Sequence, residues 1–491
     1  MLIDRILDAN LRRSATTIGI MILPDDALLE IFDLYQHNHS RIKCQWWCLL
    51  VHVCRRWRQI IFESPHRLNL QILCTHGTPV KNYLGVWPAF PIVINYPRKI
   101  PRRKPPMNSR VERDIIAALE HPGRVSFFRL HTLGTYGIQA ENILTAMQEP
   151  FPILTCLDIN VDRGSRIPVL PAKFLGGSAL RLQELTLSSF PYPALPTLLL
   201  STSDLVKLDL FLIPPTGYIS PEDMVASLAA LPKLETFVIG FQLVTSRPDR
   251  LRAPPATRAV LPALTHFRFK GASEYLEDLV RRIDGPQLNQ IEVTYLNQVV
   301  DFQVVQFSKF IHRTVAPEMS LFRHAQCTFS NSTVAFTMFS HANYSPWDRH
   351  PVTTIISGRP INCQVSHLTH ILSHLSAKLS NVVHLKLNVE PGVWLLSDAD
   401  VEWMHLLHQL SAVQTLYVSQ ELAGRVALAL EATTAAMADE VLPSLNLIHV
   451  VGRPASSIEK FFAARQLSGC PVTIIDTESE FDERVESYIS Q

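Results

Sequence analysis

One short apolar pattern recurs along most of this chain. An apolar residue, followed three and five positions later by two more, begins at ten places between Val125 and Leu445. Outside one gap of 94 residues, between Leu288 and Val382, successive starts lie 23–32 residues apart. The apolar-x-apolar ending has the period of a half-buried β-strand, and the residues between strands are helical or Pro-rich in character. The pattern therefore predicts a repeated unit of one strand and one return crossing.

The length of this unit indicates the fold class. A strand plus a crossing every 20–29 residues or so is typical of leucine-rich repeats, in which each coil has an apolar face that only its neighbours cover. We therefore predict an α/β fold in which an irregular leucine-rich-repeat solenoid with a curved parallel sheet spans residues 111–476. The ninth residue of a regular repeat is Asn or Cys, which satisfies turn backbone groups. None of the ten repeats has either residue there. We expect the least regular region after Asn297, where 327–330, 334–339 and 352–356 are candidate strands and the register up to residue 381 stays open.

A separate helical unit is predicted over residues 22–65. Leu23-Pro24 and two acids precede an apolar helix, and a second helix carries its apolar residues on one face. The order LP…LLEIF…VCRRWR resembles an F-box, the motif that docks on the Skp-type adaptor of a cullin-based ubiquitin ligase. This resemblance implies packing and adaptor-contact roles for eight residues: Leu23, Pro24, Leu28, Ile31, Phe32, Leu50, Val53 and Trp57.

The layout of an F-box followed by degenerate leucine-rich repeats resembles the large family of F-box proteins of mushroom-forming fungi. The alternative for residues 22–65 is an ordinary helical hairpin at the end of a larger domain. The segment 35–47 is longer than a compact F-box needs. The extra length of this segment leaves a second functional hypothesis open, in which the protein is a binding scaffold with an F-box that no longer recruits a ligase.

The remaining segments have simpler interpretations. Residues 1–21 are an N-terminal extension, and 66–110 are a connector with a strand over 68–73. The basic, Pro-interrupted segment 98–106 is interpreted as a solvated loop, with nuclear import or phosphate binding as the alternative. Residues 477–491 form an acidic tail, which we expect to be frayed.

Composition and motif searches exclude several classes of function. The 45 Lys and Arg balance 44 Asp and Glu, which argues against a nucleic-acid partner, and no apolar run is long enough for a membrane helix. Eight sparse cysteines without a CxxC pair fit reduced thiols, so we expect a cytoplasmic or nuclear protein. No phosphate-binding, nucleotide-binding, nucleophile or zinc-protease motif occurs. We therefore expect no cofactor and no catalytic residue.

Two groups of residues are weighed as metal sites. Cys363, His367, His370 and His374 would form one stripe on a helix. This stripe flanks the predicted buried face and spreads over three turns, so a polar flank that points to solvent is favoured over a metal site. The cysteines of the helical unit, Cys44, Cys48 and Cys54, are interpreted as packing residues.

Leucine-rich arrays bind partners through the variable residues between the apolar strand positions. The central variable positions are Arg129, Asp158, Thr186, Asp209, Val238, Arg268, Glu292, Lys386, Tyr417 and His449. Eight of them form the predicted target-binding face: Arg129, Asp158, Thr186, Asp209, Arg268, Glu292, Lys386 and Tyr417. Both charge signs occur, which favours a protein partner over a nucleic acid. The alternative at each position is a residue that merely faces water.

The leading hypothesis is a substrate-recognition subunit of a cullin-type ubiquitin ligase. Its F-box would bind the Skp-type adaptor and through it a cullin, and its repeats would bind a target protein that the sequence does not identify. An enzyme with an unrecognised site is the weakest hypothesis, because no constellation of residues supports it.

Overall fold

The structure is a computed structural model, and most of the chain is described in it. The described residues are 23–39, 46–97, 109–132, 140–161, 169–191, 193, 195–243, 257–296, 302–314, 322–339, 352–357, 361–390, 400–434, 441–450, 462, 465–466 and 471–476. The predicted N-terminal extension, the basic segment 98–106, the acidic tail and Cys44 lie outside these residues. The chain divides into two compact units, residues 1–130 with 135–139 and residues 131–134 with 140–491.

The first unit combines helices with three strands. Its described helices are α1 (Asp25–His39), α2 (Trp46–Val51), α3 (Arg55–Glu63), α4 (Lys81–Leu84) and α5 (Ser109–Leu119). Its strands are β1 (Ile72–Cys74), β2 (Ile92–Tyr96) and β3 (Val125–Thr132), of which the last two residues group with the second unit. The three strands pair in parallel in the order β1-β2-β3.

The expected connector at 66–110 contributes strands β1 and β2 to this sheet, and the first unit runs on to Leu130. The strand predicted over 68–73 is Ile72–Cys74, because Leu68 and Leu70 lie buried in the turn before it. Ile72 on β1 and Ile92 on β2 are register partners, and both side chains are buried. Cys74 is buried beside Tyr96, and this burial raises the pKa of its thiol to about 12.

The second unit is a mixed α/β structure with a large, mostly parallel sheet. Its described strands are β4 (Cys156–Val161), β5 (Glu184–Ser188), β6 (Lys207–Ile213), β7 (Thr236–Phe241), β8 (Ala259–Val260), β9 (His266–Gly271), β10 (Ile283–Asp284), β11 (Gln290–Tyr295), β12 (His324–Phe329), β13 (Thr333–Phe339), β14 (Val352–Ser357), β15 (His384–Val389), β16 (Thr415–Val418), β17 (Leu447–Val450) and β18 (Thr473–Asp476). The large sheet has the order β4-β5-β6-β7-β9-β11-β14-β13-β12-β15-β16-β17-β18, and β8 pairs separately with β10.

The crossings between these strands are helical or short turns. The described helices are α6 (Ala140–Ala146), α7 (Leu195–Leu199), α8 (Pro221–Ala229), α9 (Ser273–Arg282), α10 (Val305–Thr314), α11 (Ile361–His374), α12 (Ser376–Leu379), α13 (Asp400–His408) and α14 (Gln420–Thr434). Local sequence explains α8, since Pro221 occupies its first turn and the Ser220 side chain accepts a hydrogen bond from the Asp223 amide at 3.1 Å.

The apolar repeat pattern predicts the core correctly. All thirty residues that define the ten repeats are buried, each with 3% exposure or less. Full burial of one such side chain stabilises the fold by roughly 1.5–3 kcal/mol, so each repeat contributes strongly through three positions. Each repeat also supplies one strand, as the spacing predicts.

The repeats are further joined by a recurring main-chain pattern. The carbonyl of Gln183 accepts hydrogen bonds from both Val206 and Lys207 N–H, at 2.8 and 2.9 Å. The same two-donor arrangement occurs at other junctions, for which the accepting residues are Thr155, Val206, Glu235, Thr265, Arg323, Val383 and Gln414. Main-chain hydrogen bonds therefore connect neighbouring repeats, although these repeats lack the Asn or Cys that a regular leucine-rich repeat has at its ninth position.

The prediction of a parallel sheet is wrong in one region. The chain places β14 beside β11 and β12 beside β15, with β13 antiparallel to both of its neighbours. The three candidate strands of the 94-residue gap thus exist, but their order in the sheet is inverted. The tight turn between β12 and β13 accounts for the antiparallel pairing of these two strands, and in this turn Ser330 Oγ accepts a hydrogen bond from the Thr333 amide at 3.0 Å.

Candidate functional site

The predicted adaptor-contact residues fall into two groups in the first unit. Leu28, Phe32 and Trp57 are buried, and the rings of Phe32 and Trp57 meet edge to face at 4.9 Å. These three side chains lie in the core of the helical unit. Pro24, Ile31 and Val53 are exposed, whereas Leu23 and Leu50 are half-buried. These five positions retain surface that a partner could cover.

Arg56 joins the two halves of the F-box-like sequence. Its guanidinium donates hydrogen bonds to the Leu23 carbonyl at 2.5 Å and to the Asp25 carboxylate at 2.5 and 3.0 Å. Helix α3 begins at Arg55, where Cys54 Sγ accepts the Trp57 amide hydrogen. The start of α1 is therefore fixed against the start of α3, and Cys54 has a capping role.

Sequence reasoning missed two exposed apolar residues of this unit. Leu34 on α1 and Leu49 on α2 are 65% and 64% exposed, and Val53 is 58% exposed. Ile31 precedes Leu34 by three residues on α1, so both lie on one side of that helix. The apolar spacing of α1 alone could have identified Leu34, because at about 100° per residue it lies about 160° around the helix from the buried Phe32.

The inside of the helical unit is completed by later residues. Trp47 is almost fully buried, and its ring packs edge to face against Trp87 at 5.1 Å and Phe90 at 5.5 Å. Both partners come from the segment expected to be a connector. The helices at 22–65 therefore share their core with residues beyond 65.

In the second unit, strand register brings the predicted target-face residues into one row. Across the parallel strands, Asp158 pairs with Thr186, Thr186 with Asp209, and Asp209 with Val238. The row continues through Arg268, Glu292, Thr353, Thr337, Gln326, Lys386, Tyr417 and His449. Thr353, Thr337 and Gln326 were missed because they lie on the inverted strands. Arg129 belongs to the first unit, where its guanidinium lies 5.1 Å from the Phe127 ring centre.

The β4–β11 part of this face carries charges of both signs. His131 contacts the Asp158 carboxylate at 2.8 Å, and Arg268 forms an ion pair with Glu292 at 2.7 Å. Burial raises the pKa of the Asp209 carboxyl, although Lys207 and Arg268 oppose the shift. The carboxylates are thus partly desolvated and already have basic neighbours.

The β12–β17 part of the face is built from planar side chains. The His324 ring stacks on Phe339 at 5.5 Å and on His384 at 4.6 Å, with 10° between ring planes in both pairs. On the last two of these strands, Tyr417 stacks on His449 at 4.5 Å. We call this surface the ring face and define it as Phe339, His324, His384, Lys386, Tyr417 and His449.

Burial lowers the pKa of three titratable groups on the ring face. Burial lowers the pKa of His384, with a further contribution from Arg323, and burial also lowers the pKa of His449. The pKa of Lys386, between Gln326 and Tyr417 in the register, is lowered by desolvation. A cation in such a setting interacts more strongly with an incoming anion than a fully hydrated one does.

The predicted position of the histidine stripe on α11 is partly wrong. His367 is buried rather than pointed to solvent, with its ring edge-on to Phe302 at 5.7 Å. His370 contacts the Phe302 carbonyl at 2.5 Å and packs against His374. Helix α11 therefore turns this stripe onto the segment before α10. Over the described part of the chain, no three His, Cys, Asp or Glu side chains are grouped to hold a metal ion.

No family model and no curated protein matches this chain. Among solved structures, the chain is similar to the leucine-rich repeat-containing protein LegL7 from Legionella pneumophila, with 14% identity and a TM-score of 0.26. That match covers 73% of this chain and 95% of the other. None of the described helices has the length and apolar character that spanning a bilayer requires.

Proposed function

We propose that this chain is the substrate-recognition subunit of a cullin-type ubiquitin ligase. In this proposal the helical unit binds a Skp-type adaptor, and the strand face of the second unit binds a target protein. The observation that carries it is the set of exposed apolar side chains on a helical unit whose core is already complete: Ile31, Leu34, Leu49 and Val53. Four exposed apolar side chains on so small a helical unit are apolar area that a bound partner would cover.

The division of roles inside the F-box-like sequence supports this proposal. Trp57 and Phe32 fill the core, and Arg56 fixes the start of α1, so the exposed residues are presented by a rigid frame. A preorganised surface loses less entropy on binding than a mobile one. The residues expected from the resemblance to contact the adaptor thus include both a scaffold and a surface.

The proposed activity needs no reacting group from this chain. Holding a target near a charged ubiquitin-conjugating enzyme raises the effective concentration of its lysines, which is catalysis by proximity. The reactive cysteine would belong to another protein. The strand face would supply patchy polar recognition around a few aromatic anchors, such as Tyr417.

Co-purification of the full-length chain with a Skp-type adaptor tests the proposal. The wild type is expected to bind stoichiometrically, and Leu34→Asp is expected to weaken binding at least about tenfold, since it places a charge in an apolar interface. The matched control is Leu180→Asp in the second unit, because Leu180 is 67% exposed and Leu34 65%. This control should bind like the wild type.

Absence of binding by folded wild-type protein would contradict the ligase role. A protein-binding scaffold with a vestigial F-box would then remain. The full chain is required, because a fragment that ends near residue 75 would lack Trp87 and Phe90, against which Trp47 packs.

A further inference from the structure

The two parts of the strand face differ in charge. Strands β4, β5, β6, β7, β9 and β11 carry four carboxylates: Asp158, Glu184, Asp209 and Glu292. The described strands β12, β13, β15, β16 and β17 contain no Asp or Glu, and the first acid along β15 is Glu390, after the strand ends. Lys386 lies within this second part, and Arg323 directly precedes β12. Among the described strand residues, this second part of the face is therefore neutral to positive.

The environment of Lys386 makes an anion the favoured contact. The side chain is half-buried, with Gln326 and Tyr417 beside it on the neighbouring strands and His384 two residues earlier on its own strand. Partial removal of water from an ammonium group costs free energy, and a carboxylate brought into the same low-dielectric surroundings offsets that cost. The flat rings around it offer apolar contact.

The dimensions of the ring face fit a short extended peptide. Five adjacent strands, from β13 with Phe339 to β17 with His449, span about 19 Å at a strand spacing of about 4.8 Å. An extended chain covers about 3.3 Å per residue, so about six residues would cross the surface. Lys386 belongs to the third of these five strands, near the middle of such a segment.

We propose that the ring face binds an acidic, extended segment of a partner protein, with one carboxylate placed at Lys386 and its neighbours packed on the imidazole and phenol rings. This inference rests on the proposed function, in which the strand face binds a target. It adds the chemical class of the segment and the part of the face that recognises it.

Selection from random peptides tests this inference and does not require the target to be identified. The full-length protein is immobilised and panned with a phage-displayed library of random ten-residue peptides. Wild-type protein should enrich Asp and Glu, Lys386→Gln should lose that enrichment, and Lys386→Glu should select Lys and Arg instead. A selected acidic peptide should bind Lys386→Gln at least about tenfold more weakly in fluorescence anisotropy.

Lys207→Glu is the matched control, because Lys207 is an outward-facing lysine on the same sheet. Lys207 has Glu184 as its register partner on β5 and lies on the acidic part of the face. Its variant should select the same acidic peptides as the wild type. Circular dichroism and thermal melting of all three variants establish that each retains the fold.

Two results would overturn the inference. One is a wild-type selection without enrichment of Asp and Glu over the input library, and the other is identical selection by Lys386→Glu and the wild type. Adaptor co-purification from the same preparations separates the two proposals. Acidic selection without adaptor binding would remove the ligase role alone, and adaptor binding without acidic selection would remove only this inference.

Discussion

Truncation of Trp57 tests whether this residue belongs to the core of the helical unit and not to its binding surface. The indole is 8% exposed and contacts the Phe32 ring at 4.9 Å. Trp57→Ala removes this buried ring and leaves a cavity, which costs about 3–5 kcal/mol. At about 1.4 kcal/mol per factor of ten, this loss corresponds to about a 100- to 5,000-fold increase in local opening of the three helices.

Hydrogen exchange of the full-length chain is the assay, since it reports local opening in a protein whose units need not unfold together. The protection of slowly exchanging amides in α1 and α3 should fall by the stated factor. The Leu34→Ala control truncates an exposed side chain and should change stability by no more than about 0.5 kcal/mol. Unchanged protection in Trp57→Ala would refute the assignment of this residue to the core. An equally large decrease in protection in Leu34→Ala would refute it as well.

Three further predictions concern single positions. Burial raises the pKa of the Cys74 thiol to about 12, so iodoacetamide at pH 8 should label the half-buried Cys363 much faster, as peptide mass spectrometry would show; equal rates would contradict this. Gly217→Ala would bring a Cβ within 2.7 Å of Pro191 Cα and should cost about 1–3 kcal/mol in urea unfolding, and a neutral effect would refute the close approach. Burial lowers the pKa of His367, so the folded state binds a proton on this imidazole less tightly than the unfolded state does. The contribution of the neutral imidazole to the free energy of unfolding is therefore fully present above about pH 6.5 and is lost as the solution becomes more acidic. His367→Gln should therefore lose less Tm than the wild type between pH 7.5 and 5.5, and equal losses would count against the buried imidazole.

The sequence predicts the core of the repeats well because the signal is local and repeated. Leu185 and Leu187 lie two residues apart on one strand, and the alternation that places both inside is set by strand geometry alone. The same geometry places Thr186 on the outer face, and the repeat spacing predicts which strands are neighbours. Most of the row on the strand face follows from these two facts.

The inverted strands could not be predicted in the same way. β13 pairs with Thr337 opposite both Gln326 and Thr353, and either orientation of this strand would keep Phe336 inside. Alternation fixes which side chains are buried but not the direction of the strand. The stacked rings of His324 and Phe339 depend on this direction, and the ring face therefore emerges only from the structure.

The F-box-like sequence likewise does not show which of its apolar residues are buried in the core and which are exposed to a partner. Phe32 and Ile31 are adjacent and both apolar, yet one is 1% exposed and the other 39%. The difference comes from the packing of α1 against α3 through Trp57, which is a tertiary contact. In the same way, no local signal shows that Trp47 packs against Trp87, forty residues later.

The most direct test of the account is the co-purification of a Skp-type adaptor with the full-length chain and its Leu34→Asp and Leu180→Asp variants. The account predicts stoichiometric adaptor with the wild type and Leu180→Asp, and a loss of at least about tenfold with Leu34→Asp. Folded wild-type protein that retains no adaptor, or a Leu34→Asp variant that retains all of it, would contradict the proposed docking surface.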